Sequence, residues 1–222
     1  GDNAEAYFSF DGKWIIFQKT YLKEGIPCDQ MYIGKLPNAG EKFEYKLVST
    51  GKGRTTCGAF LKDGKHVVYA STHLDANDCP PVPDRTKYGN KYIWPLYESF
   101  DIFKADTSGR IVKRLTKTKG YDAEATISPR GDRMVFTSMR DGDLELYTMN
   151  LKGKNVKRIT HSLGYDGGAW FSPDGTKIIW RASRPQSESE IKEYKELLAQ
   201  NLVAPTHMEV WMANADGTNA KQ

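Results

Sequence analysis

Long apolar runs are missing from this sequence. No stretch of its 222 residues approaches the roughly 20 apolar positions of a helical membrane span. The opening Gly1-Asp2-Asn3 does not begin a secretory leader. That start fits a cytosolic chain, a processed one, or a piece of something longer. Charge of one sign is missing too. Lys and Arg number 32 against 28 Asp and Glu, a net +4, and the basic residues are spread rather than gathered. A nucleic-acid partner, which needs a concentrated basic face, is excluded on that ground. Cysteine is scarce: Cys28, Cys57 and Cys79, none in a C-x-x-C pair, so no zinc ribbon is expected. Three cysteines leave at least one unpaired within the chain, and one disulfide would suit an oxidising compartment. No G-x-S-x-G elbow, H-E-x-x-H pair or Walker loop occurs; Gly51-Lys52-Gly53-Arg54 lacks phosphate-loop spacing.

What the sequence does hold is a repeat. Ala6–Phe17, Gly58–Tyr69, Ala125–Phe136 and Ala169–Trp180 align, with turn glycines at Gly12, Gly64, Gly131 and Gly175. In each, a short apolar strand meets Ser-Pro-Asp-Gly or a close variant, and a second β-branched and aromatic strand follows. Proline presets φ, Asp tolerates the turn and Gly takes positive φ, so each unit is a hairpin. In the third unit the strand Leu144–Met149, a turn at Leu151-Lys152-Gly153 and Val156–Thr160 follow, making four strands in about 44 residues, the length of a propeller blade. The spacing predicts an all-β propeller of four-stranded antiparallel blades at about 1–54, 55–121, 122–165 and 166–222. The fourth lacks its outer strand, so the expectation is part of a longer chain with six blades in all.

Two insertions break the period, at about 72–97 and 185–206. The first, rich in Pro, Asn and Asp, cannot be regular throughout. In the second, Ser187 with Glu190 forms a capping box, and Ile191, Tyr194, Leu197 and Leu198 share one helical face. A short helix at about 188–200 is expected there.

The Phe171-Ser-Pro-Asp-Gly-x-x-Ile-x-Trp180 signature, its variants and the Arg-Leu/Ile-Thr blade ends (Arg114–Thr116, Arg158–Thr160) resemble TolB-like propeller repeats of bacterial cell envelopes. The resemblance spans the chain outside its insertions. It implies a periplasmic or extracellular protein that docks envelope proteins or peptides, peripheral to the membrane at most and able to join a larger complex. It implies no enzyme activity and no cofactor. The insertions, and the lack of an α/β domain ahead of the propeller, depart from TolB, so partner identity does not follow. Competing readings are the propeller of a prolyl-oligopeptidase-like hydrolase, a metal-dependent propeller lyase on acidic glycans, and a propeller binding a small ligand.

In a propeller, blade starts, second-to-third-strand loops and both insertions share one face, the channel mouth, and scaffold loops there are the place to look for function. The blade starts carry Glu5, Asp122, Glu124 and Asp166; the second strands end near Arg140, Arg181 and Arg184. Arg140 or Arg181 pairing with Asp122, Glu124 or Asp166 would either knit blades or meet a ligand. His207, Tyr92 and Trp94 join the candidate face, with exposed aromatics as partner anchors. His73, Asp75 and His161 are weak metal candidates with no ligand spacing, and Ca²⁺ on mouth carboxylates is the one cofactor considered. Cys28–Cys57 or Cys57–Cys79 could be bridged.

Overall fold

The computed structural model describes residues 2–89 and 91–222, and it is a propeller array of four blades. The first sheet runs β1 (Asp2–Phe8), β2 (Trp14–Tyr21), β3 (Ile26–Lys35) and β4 (Tyr45–Leu47). The second is β5 (Thr55–Phe60) and β6 (His66–Ser71), then, past a two-residue insertion strand β7 (Trp94–Pro95), β8 (Asp101–Asp106) and β9 (Ile111–Arg114). The third is β10 (Asp122–Ile127), β11 (Arg133–Ser138), β12 (Glu145–Asn150) and β13 (Lys157–Arg158). The fourth has β14 (Tyr165–Phe171) and β15 (Lys177–Ser183), the helix α1 (Glu188–Leu198), a second insertion strand β16 (Leu202–Val203), and β17 (Glu209–Asn214). All pairings are antiparallel. The outer strand of the fourth sheet is reduced to one bridge, Met212 to Lys221. The expected helix is present, capped as predicted by Ser187 and Glu190.

Blades pack face to face through three apolar clusters. Ile16, Met31 and Ile33 meet Val67, Tyr69 and Phe103; Val68 and Ile102 meet Met134 and Phe136; Val135 and Leu146 meet Ile178 and Trp180. Strand alternation supplies both faces of every sheet. The flanks of the array are open. Val68 and Val135 are 0% exposed between blades, whereas Ile179, at the same repeat position, is 46% exposed. Likewise Phe60 is 4% exposed and its counterpart Phe8 is 65% exposed.

Outer strands are held by a repeated polar latch. The hydroxyls of Ser49, Thr116 and Thr160 accept from the backbone N–H of Met31, Ile102 and Leu146. Beside them Arg114 pairs with Asp101, and Arg158 with Glu145 at 2.7 Å. The Arg-Leu/Ile-Thr blade ends read from the sequence are this latch: the Thr satisfies a buried N–H and the Arg neutralises a buried carboxylate.

The cysteines pair otherwise than expected. Cys28 is bonded to Cys79, and Cys57 is free. Neither Cys28–Cys57 nor Cys57–Cys79 forms, because Cys57 sits on the channel side of β5 while Cys28, in β3, faces the first insertion. Thiol titration of the unfolded chain should therefore find one thiol without reductant and three after reduction. Three thiols without reductant would sink this pairing.

Candidate functional site

Every inner strand carries the same irregularity. The register slips between Ala4 and Tyr7, Thr56 and Ala59, Ala123 and Thr126, and Gly167 and Trp170. At each bulge one residue takes positive φ: Glu5 at 47°, Cys57 at 54°, Glu124 at 58° and Gly168 at 60°. Three of the four are not glycine, at a cost of about 1 kcal/mol or more each. A bulge re-aims a side chain, and these four positions all line one cavity at the channel mouth.

That cavity holds about 650 Å³. The inner strands form its floor, with Glu5, Cys57, Glu124, Tyr7 and Trp170; the first insertion forms a wall with Arg85 and Tyr92 to Tyr97. Tyr7 and Trp170 meet across it, ring centroids 4.8 Å apart. The size and the mixture of aromatic and charged lining are those of a ligand pocket.

Glu124 is the most heavily held group. Its carboxylate accepts from Tyr121 Oη at 3.1 Å, Tyr165 Oη at 3.1 Å, Thr137 Oγ1 at 3.3 Å and the Gly168 N–H. Burial pushes its pKa up, while nearby Arg181 and the Gly168 N–H pull it back. Burial likewise pushes the Cys57 thiol well up, with Glu5 and Glu124 adding to the shift. That is the opposite of an activated nucleophile. Gly168 has a steric role: a Cβ there would stand 2.7 Å from a guanidinium nitrogen of Arg181.

The wall is built by the two insertions together, which nothing in the sequence announced. Trp94 and Pro95 pair with Val203 and Leu202 as a small separate sheet. Ile93, Leu197 and Leu202 are buried against one another. Tyr194 donates to Asp143 at the base of α1, and the Cys28–Cys79 bond ties the near end of the first insertion to the first blade.

Of the expected site residues, Glu5, Glu124, Arg181, Tyr92 and Trp94 gather at this cavity. Asp122, Asp166, Arg140 and Arg184 do not line it. Asp122 is paired with Arg140 at 2.9 Å and Asp166 with Arg184 at 2.5 Å, both carboxylates almost wholly buried. They hold the ends of the first two strands of their blades together and do not face this cavity. Burial drives Asp166 up to about 7 despite Arg184 and Trp180. Arg181, expected to pair as Arg140 does, takes a different place from the fourth-blade equivalent of Arg140. By register that equivalent is Arg184, while Arg181 lies on the channel side beside Gly168. His207 is exposed and away from the cavity lining.

His73 is half-buried on Phe103 with its Nδ1 2.9 Å from Ser71 Oγ; Asp75 and His161 are exposed. Among the described residues no three His, Cys, Asp or Glu side chains gather as a metal cluster. The sequence reading missed Tyr7, Arg85 and Trp170. Tyr7 and Trp170 occupy one repeat position and were open to alignment; Arg85 lies in a 3₁₀ turn of an irregular loop, which gives no periodic signal.

Residues 96–209, just over half of the chain, match the family described as the TolB beta propeller domain. The chain belongs to this family. Among solved structures, TolB from Acinetobacter baumannii superposes with a TM-score of 0.67 at 20% identity, over 99% of this chain and 43% of that one. A putative TolB from Agrobacterium tumefaciens is 19% identical over 99% of this chain and 79% of that one, with a TM-score of 0.49. The chain thus spans less than half of the length of the Acinetobacter protein, and at such identities the likeness concerns the fold. No helix among the described residues is long and apolar enough to cross a membrane.

Proposed function

We propose that this propeller is a non-catalytic interaction module of the bacterial envelope, periplasmic or extracellular, that holds a segment of a partner protein in the channel-mouth cavity. The observation that carries this reading is the aromatic wall. Tyr92 is 59% exposed, in edge contact with Trp94, and both stand on an insertion braced by a disulfide and a second insertion. Exposed aromatics on a braced support are the usual anchors of recognition. The raised Cys57 thiol and the fully engaged Glu124 argue against nucleophilic or acid–base chemistry at this place. The open Phe8 and Ile179 faces, which repeat the faces buried between blades, are read as seats for further blades.

Immobilised protein should capture a defined set of proteins from envelope extract, and Tyr92→Ala with Trp94→Ala should remove most of that capture. Leu22→Ala, exposed and distant from the cavity lining, serves as control. Capture that survives the double substitution in a folded protein removes the cavity from the account.

A further inference from the structure

Two guanidinium groups at the cavity, those of Arg85 and Arg181, make no direct hydrogen bond or ion pair to another side chain among the described residues, whereas Arg54 is held by Asp29 at 2.9 Å. Both free groups rest on rings of the first insertion. The guanidinium carbon of Arg85 lies 5.3 Å from the Tyr92 ring centre, and that of Arg181 lies 5.9 Å from the Trp94 ring centre. Tyr92 and Trp94 meet edge to face at 5.7 Å. The cavity wall is therefore a ladder of Arg85, Tyr92, Trp94 and Arg181. Stacking uses the face of a guanidinium and leaves its edge donors available for a planar acceptor.

The carboxylates nearby are mostly committed. Asp29 serves Arg54 and Thr20, and Glu124 receives three hydroxyls and a backbone N–H. That leaves Glu5, exposed on the floor. Glu124 and Glu5 act on Arg181 through their charge, so it is the unbonded donors of Arg181 and Arg85, and not a surplus of positive charge, that fit the wall to a planar anionic acceptor.

We propose that the cavity selects an acidic, extended segment, with one carboxylate on Arg181 and a second on Arg85. This rests on the reading that the cavity holds a partner segment, and it names the chemistry of that segment. Charge-assisted bidentate contacts to carboxylate supply the selectivity, and the aromatic rungs supply the apolar contact between them. Three of the four ladder residues come from the first insertion, so the selectivity belongs to that insertion rather than to the repeat.

The test uses the whole chain and two fluorescein-labelled, end-blocked peptides: Gly-Glu-Ser-Glu-Gly and its counterpart with both Glu replaced by Gln. The acidic peptide is expected to bind at least ~10-fold tighter, with the preference fading as ionic strength rises. Arg85→Gln and Arg181→Gln should each abolish most of the preference without changing the melting temperature. Arg181→Lys should restore only part of it, since an ammonium is no fork. Equal affinities for the two peptides, binding of neither, or an acidic preference untouched by both Gln variants would overturn the inference. If partner capture still depends on Tyr92 and Trp94 in that case, the cavity reading stands and only its charge selectivity is lost.

Discussion

Gly153→Ala is expected to lower stability by roughly 3 kcal/mol, which in a chain of this size is about 10 °C in melting temperature. Gly153 closes the turn between the third and fourth strands of blade three, at φ 70°. An alanine would first bear the left-handed penalty, ~1–2 kcal/mol. Its Cβ would also stand 2.5 Å from the carbonyl oxygen of Leu115, on the outer edge of the preceding blade. Backbone cannot swing aside as a side chain can, so the blades must part slightly. A Cβ on Gly217 would meet the Ile159 carbonyl oxygen in the same way. Gly12 is the control: φ is 68°, yet nothing among the described residues lies within 4 Å of its missing Cβ. Gly12→Ala should therefore cost only ~1 kcal/mol. Thermal melts of the two variants separate the terms. Equal losses would show that the blades do not press on one another at Leu115.

Arg140→Met should cost about 3 kcal/mol at neutral pH, because it strands Asp122. Arg140 donates to Asp122 Oδ1 at 2.9 Å and to Ser138 Oγ at 2.9 Å, with its guanidinium over Phe136 and Tyr147. The other oxygen, Asp122 Oδ2, is buried with no hydrogen-bond partner among the described residues. Burial already raises the Asp122 pKa, and Arg140 is the largest pull in the opposite direction. Without Arg140 the folded value climbs further. A carboxyl with a raised folded pKa contributes stability below its unfolded value and loses it as pH rises through the folded value. The deficit of Arg140→Met should thus be small in mild acid and grow toward neutral pH. Asp122→Asn combined with Arg140→Met should flatten that dependence and recover most of the loss. Denaturant titrations across this pH range decide the matter. A deficit independent of pH would mean that lost packing on Phe136 and Tyr147, and not a stranded charge, explains the variant.

Much of the architecture was legible because it is periodic. The hairpin glycines, the alternating apolar strands and the Arg-Leu/Ile-Thr ends each answer to a local rule of turn, pleat or hydrogen bonding, and repetition made each visible several times. Ser187 and Glu190 announced their helix for the same reason, since a capping box is complete within four residues. The channel residues Glu5 and Glu124 could be named because the blade-start segments recur; that they sit on bulges was not legible.

What escaped was the partnering of parts distant in the chain. Arg181 and Arg184 are three residues apart and chemically alike. Only the register of β14 against β15 sends one to the channel and the other to Asp166, because strand alternation turns a single step into a change of face. The sequence reading gave Cys57 a partner in both of its pairings; the path of the first insertion across blade one joined Cys28 to Cys79 instead. The wall of Tyr92 and Trp94 required two insertions about a hundred residues apart to pair as strands, and irregular segments carry no period from which to read that meeting. The sequence alone determined the blade, its turns, its latches and its helix, since these are decided by neighbours along the chain. The cavity, its stacked guanidinium groups and the disulfide that braces it exist only once the blades are ranged about an axis. Their energies come from contacts that no local pattern encodes.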